Sequence, residues 1–216
     1  MKPIGITVGP LEENCWLLVD PASREAVLVD PGDEAERLLE AVAAAGATLR
    51  AIWLTHAHFD HIGAIAGIKR QHPQVPVHLH SADTPLLALA GAAAARWGLS
   101  VETPPPADVM IGEGDVLSVG AHRFTVQHVP GHAPGHVMFV GDGVVLSGDV
   151  LFQGSIGRTD LPMCDPAAMQ TSLARIASLP SETVVHPGHG PTTTIGRERA
   201  TNPFLSGAAR VVGGAA

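Results

Sequence analysis

Apolar residues in the first third of the chain fall into short β-prone runs, Ile4 to Val8, Cys15 to Val19 and Ala26 to Val29. Pro10, Pro21 and the Asp30-Pro31-Gly32 turn separate them, which predicts three strands. The period then changes. Ala35, Leu38, Leu39, Val42 and Ala45 recur at helical spacing until Gly46, with Asp33 placed as a cap and Glu36 three residues on. An amphipathic helix packed on a sheet is predicted. Ala51 to Thr55 reads as a buried strand, Gly63 to about Gln71 as a helix, and Ser81 to Trp97 as an alanine-rich helix. Thr103-Pro104-Pro105-Pro106 is a rigid extended loop, with no domain boundary there. Strands return at Val116 to Val119, Arg123 to Val129, Val137 to Val140 and Val144 to Leu146, with Gly141-Asp142-Gly143 as a hairpin turn. A helix from Pro166 to Ser178 and a strand from Thr183 to Val185 follow. Two successive blocks of strands and helices fit two sheets packed together with helices on the outer faces.

Length and composition narrow the picture. A chain of 216 residues is expected to form one large domain with a real core. Asp and Glu number 21 against 13 Lys and Arg, a net charge of −8, which argues against a nucleic-acid partner. Cys15 and Cys164 are too few and too far apart for a disulfide framework, so a reducing, cytoplasmic setting is expected. The first residues lack a charged segment followed by an apolar one, and the longest apolar run, Leu86 to Ala95, is half a membrane span. Neither secretion nor membrane insertion is expected. Tyrosine is absent while there are 12 histidines, and histidine is the commonest metal ligand.

Chemistry concentrates in Thr55-His56-Ala57-His58-Phe59-Asp60-His61-Ile62-Gly63. Three imidazoles and a carboxylate within six residues are costly to bury without purpose. After a strand, His56 and His58 can point the same way while Asp60 and His61 lie on the turn into the next helix, so one loop can serve two metals. His132 lies in Pro130-Gly131-His132-Ala133-Pro134-Gly135-His136, where Gly and Pro forbid a helix. Asp149 follows the apolar run Val144-Val145-Leu146, and His189 follows Val184-Val185 within Pro187-Gly188-His189-Gly190. Every candidate comes after a β-run and stands near glycine, the pattern of loops converging at one sheet edge.

These residues resemble the metallo-β-lactamase superfamily, whose His-x-His-x-Asp-His signature stands intact at His56 to His61. Gly148-Asp149-Val150-Leu151-Phe152, Gly154-Ser155-Ile156-Gly157-Arg158-Thr159-Asp160, His186-Pro187-Gly188-His189-Gly190-Pro191, Gly196-Arg197-Glu198-Arg199 and Asn202-Pro203-Phe204 are similar to short-form bacterial glyoxalase II, the hydroxyacylglutathione hydrolases. The resemblance implies an αββα sandwich of two mixed β-sheets with helices on the outer faces and a dinuclear site at its edge. It implies that His56, His58 and His132 hold one metal, that Asp60, His61 and His189 hold the other, and that Asp149 bridges them, with Asp60 and Asp149 catalytic. Two divalent ions are implied, zinc first, with iron or manganese also suited to imidazole and carboxylate ligands. A shared water acidified toward a pKa of about 7 would give hydroxide at neutral pH for attack on a thioester such as S-D-lactoylglutathione.

The resemblance also limits the reading. Long-form enzymes carry a C-terminal helical region that holds glutathione through basic and tyrosine side chains; here the expectation is a single domain over 1–216 without it. Arg158 is the nearby cation proposed for a substrate carboxylate, since its fork suits bidentate pairing. Persulfide dioxygenases share the signature and the Gly157-Arg158-Thr159-Asp160 stretch, and would use one iron held by His56, His132 and Asp149. A lactonase is a third reading, and it needs a pocket lined for an acyl chain. A nuclease fits poorly with an acidic chain, and a complete ligand set argues against a non-catalytic metal module. His136 is expected to be structural, although its spacing leaves the choice of His132 over it to the family pattern. His72, His78, His80, His122, His128 and His186 default to surface or satisfied core roles, and Cys164 to a small hydrophobe. The oligomeric state is open.

Overall fold

Strands apolar on both faces need cover on both sides, and Glu13–Val19 and Glu25–Val29, buried almost throughout, dictate the layering for that reason. The computed structural model describes residues 1–212. One six-stranded sheet comprises β1 (Ile4–Val8), β2 (Glu13–Val19), β3 (Glu25–Val29), β4 (Thr48–Trp53), β5 (Val77–His80) and β6 (Val109–Ile111), in that spatial order. β1, β2 and β3 pair antiparallel, and β3 through β6 run parallel. The second sheet, from β7 (Val116–Val119) through β8 (His122–His128), β9 (Val137–Gly141), β10 (Val144–Gly148) and β11 (Val184–Pro187) to β12 (Thr193–Thr194), is antiparallel except for the β10–β11 pair. Both sheets are mixed, as expected.

Three apolar layers follow from the period-2 alternation. Trp16, Leu18, Val27, Val29 and Trp53 of the first sheet meet Phe124, Val126, Phe139 and Leu146 of the second. Intervening residues face outward. Cys15, Leu17, Ala26 and Leu28 pack with Leu38 and Val42 of α1 (Ala35–Ala44), and with Ile62 of α2 (Phe59–Ile62) and Ile65 and Ile68 of α3 (Ile65–Gln71). On the far side, Met138, Val145 and Val185 pack against an outer helix through Met169, Leu173 and Ile176. The result is helix, sheet, sheet, helix.

Several local expectations need correction. Asp33 does not cap α1: it accepts a hydrogen bond from the neighbouring Glu34 N, and Glu34 stands at the cap in the left-handed region with no side-chain cap bond. The alanine-rich segment is not one helix. It divides into a short 3₁₀ turn at Ser81–Asp83, α4 (Thr84–Ala88) and α5 (Ala90–Ala95), because Leu89 leaves helical geometry at φ −98° and ψ 4°. The helix expected from Gly63 is preceded by the separate turn α2, which begins inside the histidine motif. β5, β6 and β12 are too short to announce themselves by pattern. The expected Pro166 helix is α6 (Pro166–Ala177), capped by Asp165, which accepts from Ala167 N and Ala168 N. Beyond it lie α7 (Ile195–Thr201) and α8 (Pro203–Ser206), which the periodicity did not reveal. The turn at Asp142 and Gly143 has positive φ at both positions, 52° and 75°, as a type I′ hairpin requires.

Candidate metal centre

Ligands in sheets with parallel strands gather beyond carboxyl ends, and the candidate side chains obey that rule. Asp30 follows β3, and Thr55 and His56 follow β4. His58 caps α2, which carries Asp60 and His61. From the second sheet, His132 follows β8, Asp149 follows β10 and His189 follows β11. All seven predicted ligands therefore meet at one edge of the sandwich.

The donor atoms of the predicted ligands form two groups, and Asp30 makes a third with His56 and His61. Atoms of His56, His58 and His132 lie within 4.8 Å of one another, as do those of Asp60, His61 and His189. Asp149 stands between the groups, with Oδ2 3.4 Å from His132 Nε2 and 3.7 Å from His189 Nε2, and Oδ1 3.4 Å from His61 Nε2. His58 Nδ1 and His132 Nε2 are 2.8 Å apart, and His189 Nε2 is 3.3 Å from Asp60 Oδ2.

These groups fit metal ions. His56 Nε2, His61 Nε2 and Asp149 Oδ1 are buried and have no hydrogen-bond partner, a state that costs about 1–3 kcal/mol per group. A cation at each group would satisfy them, and an imidazole and carboxylate set suits zinc, iron or manganese. The far side of four of the five rings is pinned through Nδ1–H. His61 donates to Asp30 Oδ2 at 3.2 Å, His132 to the Arg158 carbonyl at 2.7 Å, and His189 to the Leu11 carbonyl at 3.1 Å. His56 donates to Thr55 Oγ1 at 3.0 Å, and that hydroxyl donates to Asp30 Oδ2 at 2.6 Å. Such outer partners choose the tautomer that leaves Nε2 free for a metal.

Electrostatics divide the rings. Burial, then the neighbouring His132, pulls His58 down to about 3, so its ring is neutral and its lone pair available. Burial likewise lowers His56 and His132. Asp149 is buried, yet the charge and hydrogen bond of His61, with His132 and His189, hold its carboxyl well below the usual carboxylate range. His61 is driven up by Asp149 and Asp60 against its own burial.

Residues that the motif did not reveal complete the centre. Asp30 looked like a turn residue, since Asp-Pro-Gly is a turn signal, and only the fold brings it to His61 and Thr55. Asp83 accepts from Ala57 N at 3.0 Å and from Gly135 N, joining the His56–His58 loop to the His132 loop. His136 behaves as expected of a structural histidine: its Nε2 accepts from Asp149 N at 3.0 Å. Glu13, buried beside His61 with both oxygens unpartnered, is pushed up by burial. Cys164 donates to the His132 carbonyl. The guanidinium of Arg158 is engaged by Asp160 at 2.8 and 2.9 Å, so a substrate carboxylate there would compete with an internal one. A cavity of roughly 500 Å³ opens over the donors.

Fold and donor geometry are those of a metallo-hydrolase superfamily of the αββα type: residues 8–189 match the metallo-beta-lactamase superfamily, to which the chain belongs. Among its relatives, the probable metallo-hydrolase YqgX of Bacillus subtilis is 39% identical over 96% of this chain and 99% of its own. The hydroxyacylglutathione hydrolase GloC of Haemophilus influenzae is 37% identical over 93% of this chain and 96% of its own. The crystal structure of TTHA1623 in a di-iron-bound form is 49% identical and superposes with a TM-score of 0.87, covering 94% of this chain and all of that one. Among the described residues no helix is long and apolar enough to cross a membrane.

Proposed function

We propose that the protein hydrolyses a thioester of the hydroxyacylglutathione type, with His56, His58 and His132 holding one metal, Asp60, His61 and His189 the other, and Asp149 shared. The observation that carries this reading is the presence of two complete donor groups with one carboxylate between them. A second group with its own three donors favours a dinuclear centre over a single iron. When bound, two divalent cations supply Lewis-acid polarisation of the carbonyl and an acidified water. The chain's own residues do the remaining work. Asp149 Oδ2 lies within 3.4–3.7 Å of His132 Nε2 and His189 Nε2, so its orientation governs the separation of the two groups. Asp60, held ionised by His61 against its burial, lines the cleft, where its oxygen not turned to His189 would take the proton that water loses. In the overall step the water oxygen forms the new C–O bond, the C–S bond breaks, and the departing thiolate takes up a proton.

The test is S-D-lactoylglutathione hydrolysis by metal-reconstituted protein. Asp149→Ala is expected to lose metal and turnover together. Full turnover by that variant would overturn the assignment of Asp149. Oxygen uptake with glutathione persulfide at one iron per chain, without thioester cleavage, would replace the hydrolase reading by persulfide oxidation.

A further inference from the structure

The walls of the cavity over the donors are more selective than its floor. Leu86, Leu89 and Trp97 line one side, from α4, the break after it and the turn that follows α5, and Ile156, Leu161 and Met163 line the other. Apart from the candidate ligands and Arg96 and Arg158, every side chain lining the cavity is apolar. No serine, threonine, asparagine, glutamine, tyrosine or lysine offers a hydrogen bond from the wall. Arg158 is paired with Asp160 and lies 5.8 Å from the centre of the Trp97 ring, so its charge is already met. Leu89, Trp97 and Met163 are 55%, 52% and 46% exposed at the rim. Large apolar side chains left in water around a concave site mark a surface that an apolar ligand covers.

We infer that this cavity takes a linear aliphatic chain, which on the thioesterase reading above is the acyl group of the substrate, seated between α4–α5 and the 152–163 loop with its carbonyl over the donors. Among thioesters, those whose acyl group carries a medium-length chain are therefore preferred over the acetyl thioester.

Two measurements test the inference separately from the hydrolase reading. Of the three tryptophans, Trp16 and Trp53 are 8% and 1% exposed, so a ligand entering the cavity is reported by Trp97. Titration of metal-free protein with hexanoate, octanoate and decanoate is expected to shift the emission to the blue, with Kd falling about fourfold per methylene, the fold-change matching about 0.8 kcal/mol per buried CH₂. The metal-loaded enzyme is expected to show kcat/KM rising by a similar factor per methylene from the acetyl to the octanoyl thioester of N-acetylcysteamine. In Ala93→Phe, which fills the wall, the octanoyl to acetyl ratio should collapse at an unchanged melting temperature. Cleavage of every thioester at a rate independent of chain length overturns the inference and leaves the hydrolase reading intact. Length-dependent carboxylate binding with no thioester cleaved keeps the aliphatic pocket and overturns the hydrolase reading. Absent or length-independent binding overturns the pocket itself.

Discussion

Asp30 Oδ2 serves two imidazoles, His61 directly and His56 through the Thr55 hydroxyl. An amide at this position would turn a donor toward one of those partners and free its ring. Asp30→Asn is expected to weaken metal binding about 10–100-fold, as loss of outer-layer partners does elsewhere, in competition titrations with a chelator; unchanged affinity would refute this role. Asp83 permits a pH test. Burial raises its carboxyl to about 6 from an ordinary value of 3.8, against the two backbone N–H bonds it accepts. Between those pH values the folded state binds more protons than the unfolded state, so stability from this group is greatest below about pH 4 and is lost as pH rises through 6. The stability difference between the wild type and Asp83→Asn should therefore narrow from pH 4 to pH 7, by at most about 1.4 kcal/mol per unit of separation. Denaturant melts at both values measure it, and a widening difference would contradict the assignment. At this scale the sequence was most legible: all seven candidate ligands converge. Their supporting partners were not legible, because Asp30, Thr55 and Asp83 carry no spacing signal and become partners only after folding.

Elements place these residues through a few tight turns. Gly188, after β11, leaves no room for a side chain: a Cβ there would meet His61 Cε1 at 2.7 Å and come still closer to Asp149 Oδ1. Gly188→Ala should displace either the ring or the carboxylate and lower metal content below that of the wild type, as read by elemental analysis. Gly112→Ala is the control, since a Cβ at that position meets nothing within 4 Å. Equal metal content in the two variants would show that the Gly188 turn is not constraining. Alternation and helical period foretold the long strands and α1, whose burial pattern is regular. They failed for β5, β6, β12, α7 and α8, which span two to seven residues, too few for a period to show. The alanine-rich segment misled in the opposite direction. High helix propensity predicts continuity, but the chain leaves helical geometry at Leu89.

Across the whole molecule the centre joins two sheets that otherwise meet through apolar side chains. His56 to His61 come from one sheet, and His132, Asp149 and His189 from the other. Polar contacts already stitch this edge, with Asn14 N donating to the Gly188 carbonyl at 2.7 Å and Trp16 Nε1 to the Pro187 carbonyl at 3.0 Å. Metal binding adds cross-links that only the folded state can offer, so chelation should lower the melting temperature. The expected loss is about 2.7 kcal/mol where free metal had stood at 100 times its Kd, and Asp149→Ala should melt at nearly the same temperature with or without chelator. A wild type indifferent to chelator would mean that the two groups do not share metal between the sheets. The sequence by itself determined the layered class, through successive blocks of strands and helices, and named the candidate donors, four of them in one local motif. Only the tertiary structure decided which carboxylates orient the rings, that Asp160 engages Arg158, and that an apolar chamber covers the centre. Those depend on residues far apart in the chain, and their proximity is set by how the two sheets pack rather than by any local pattern.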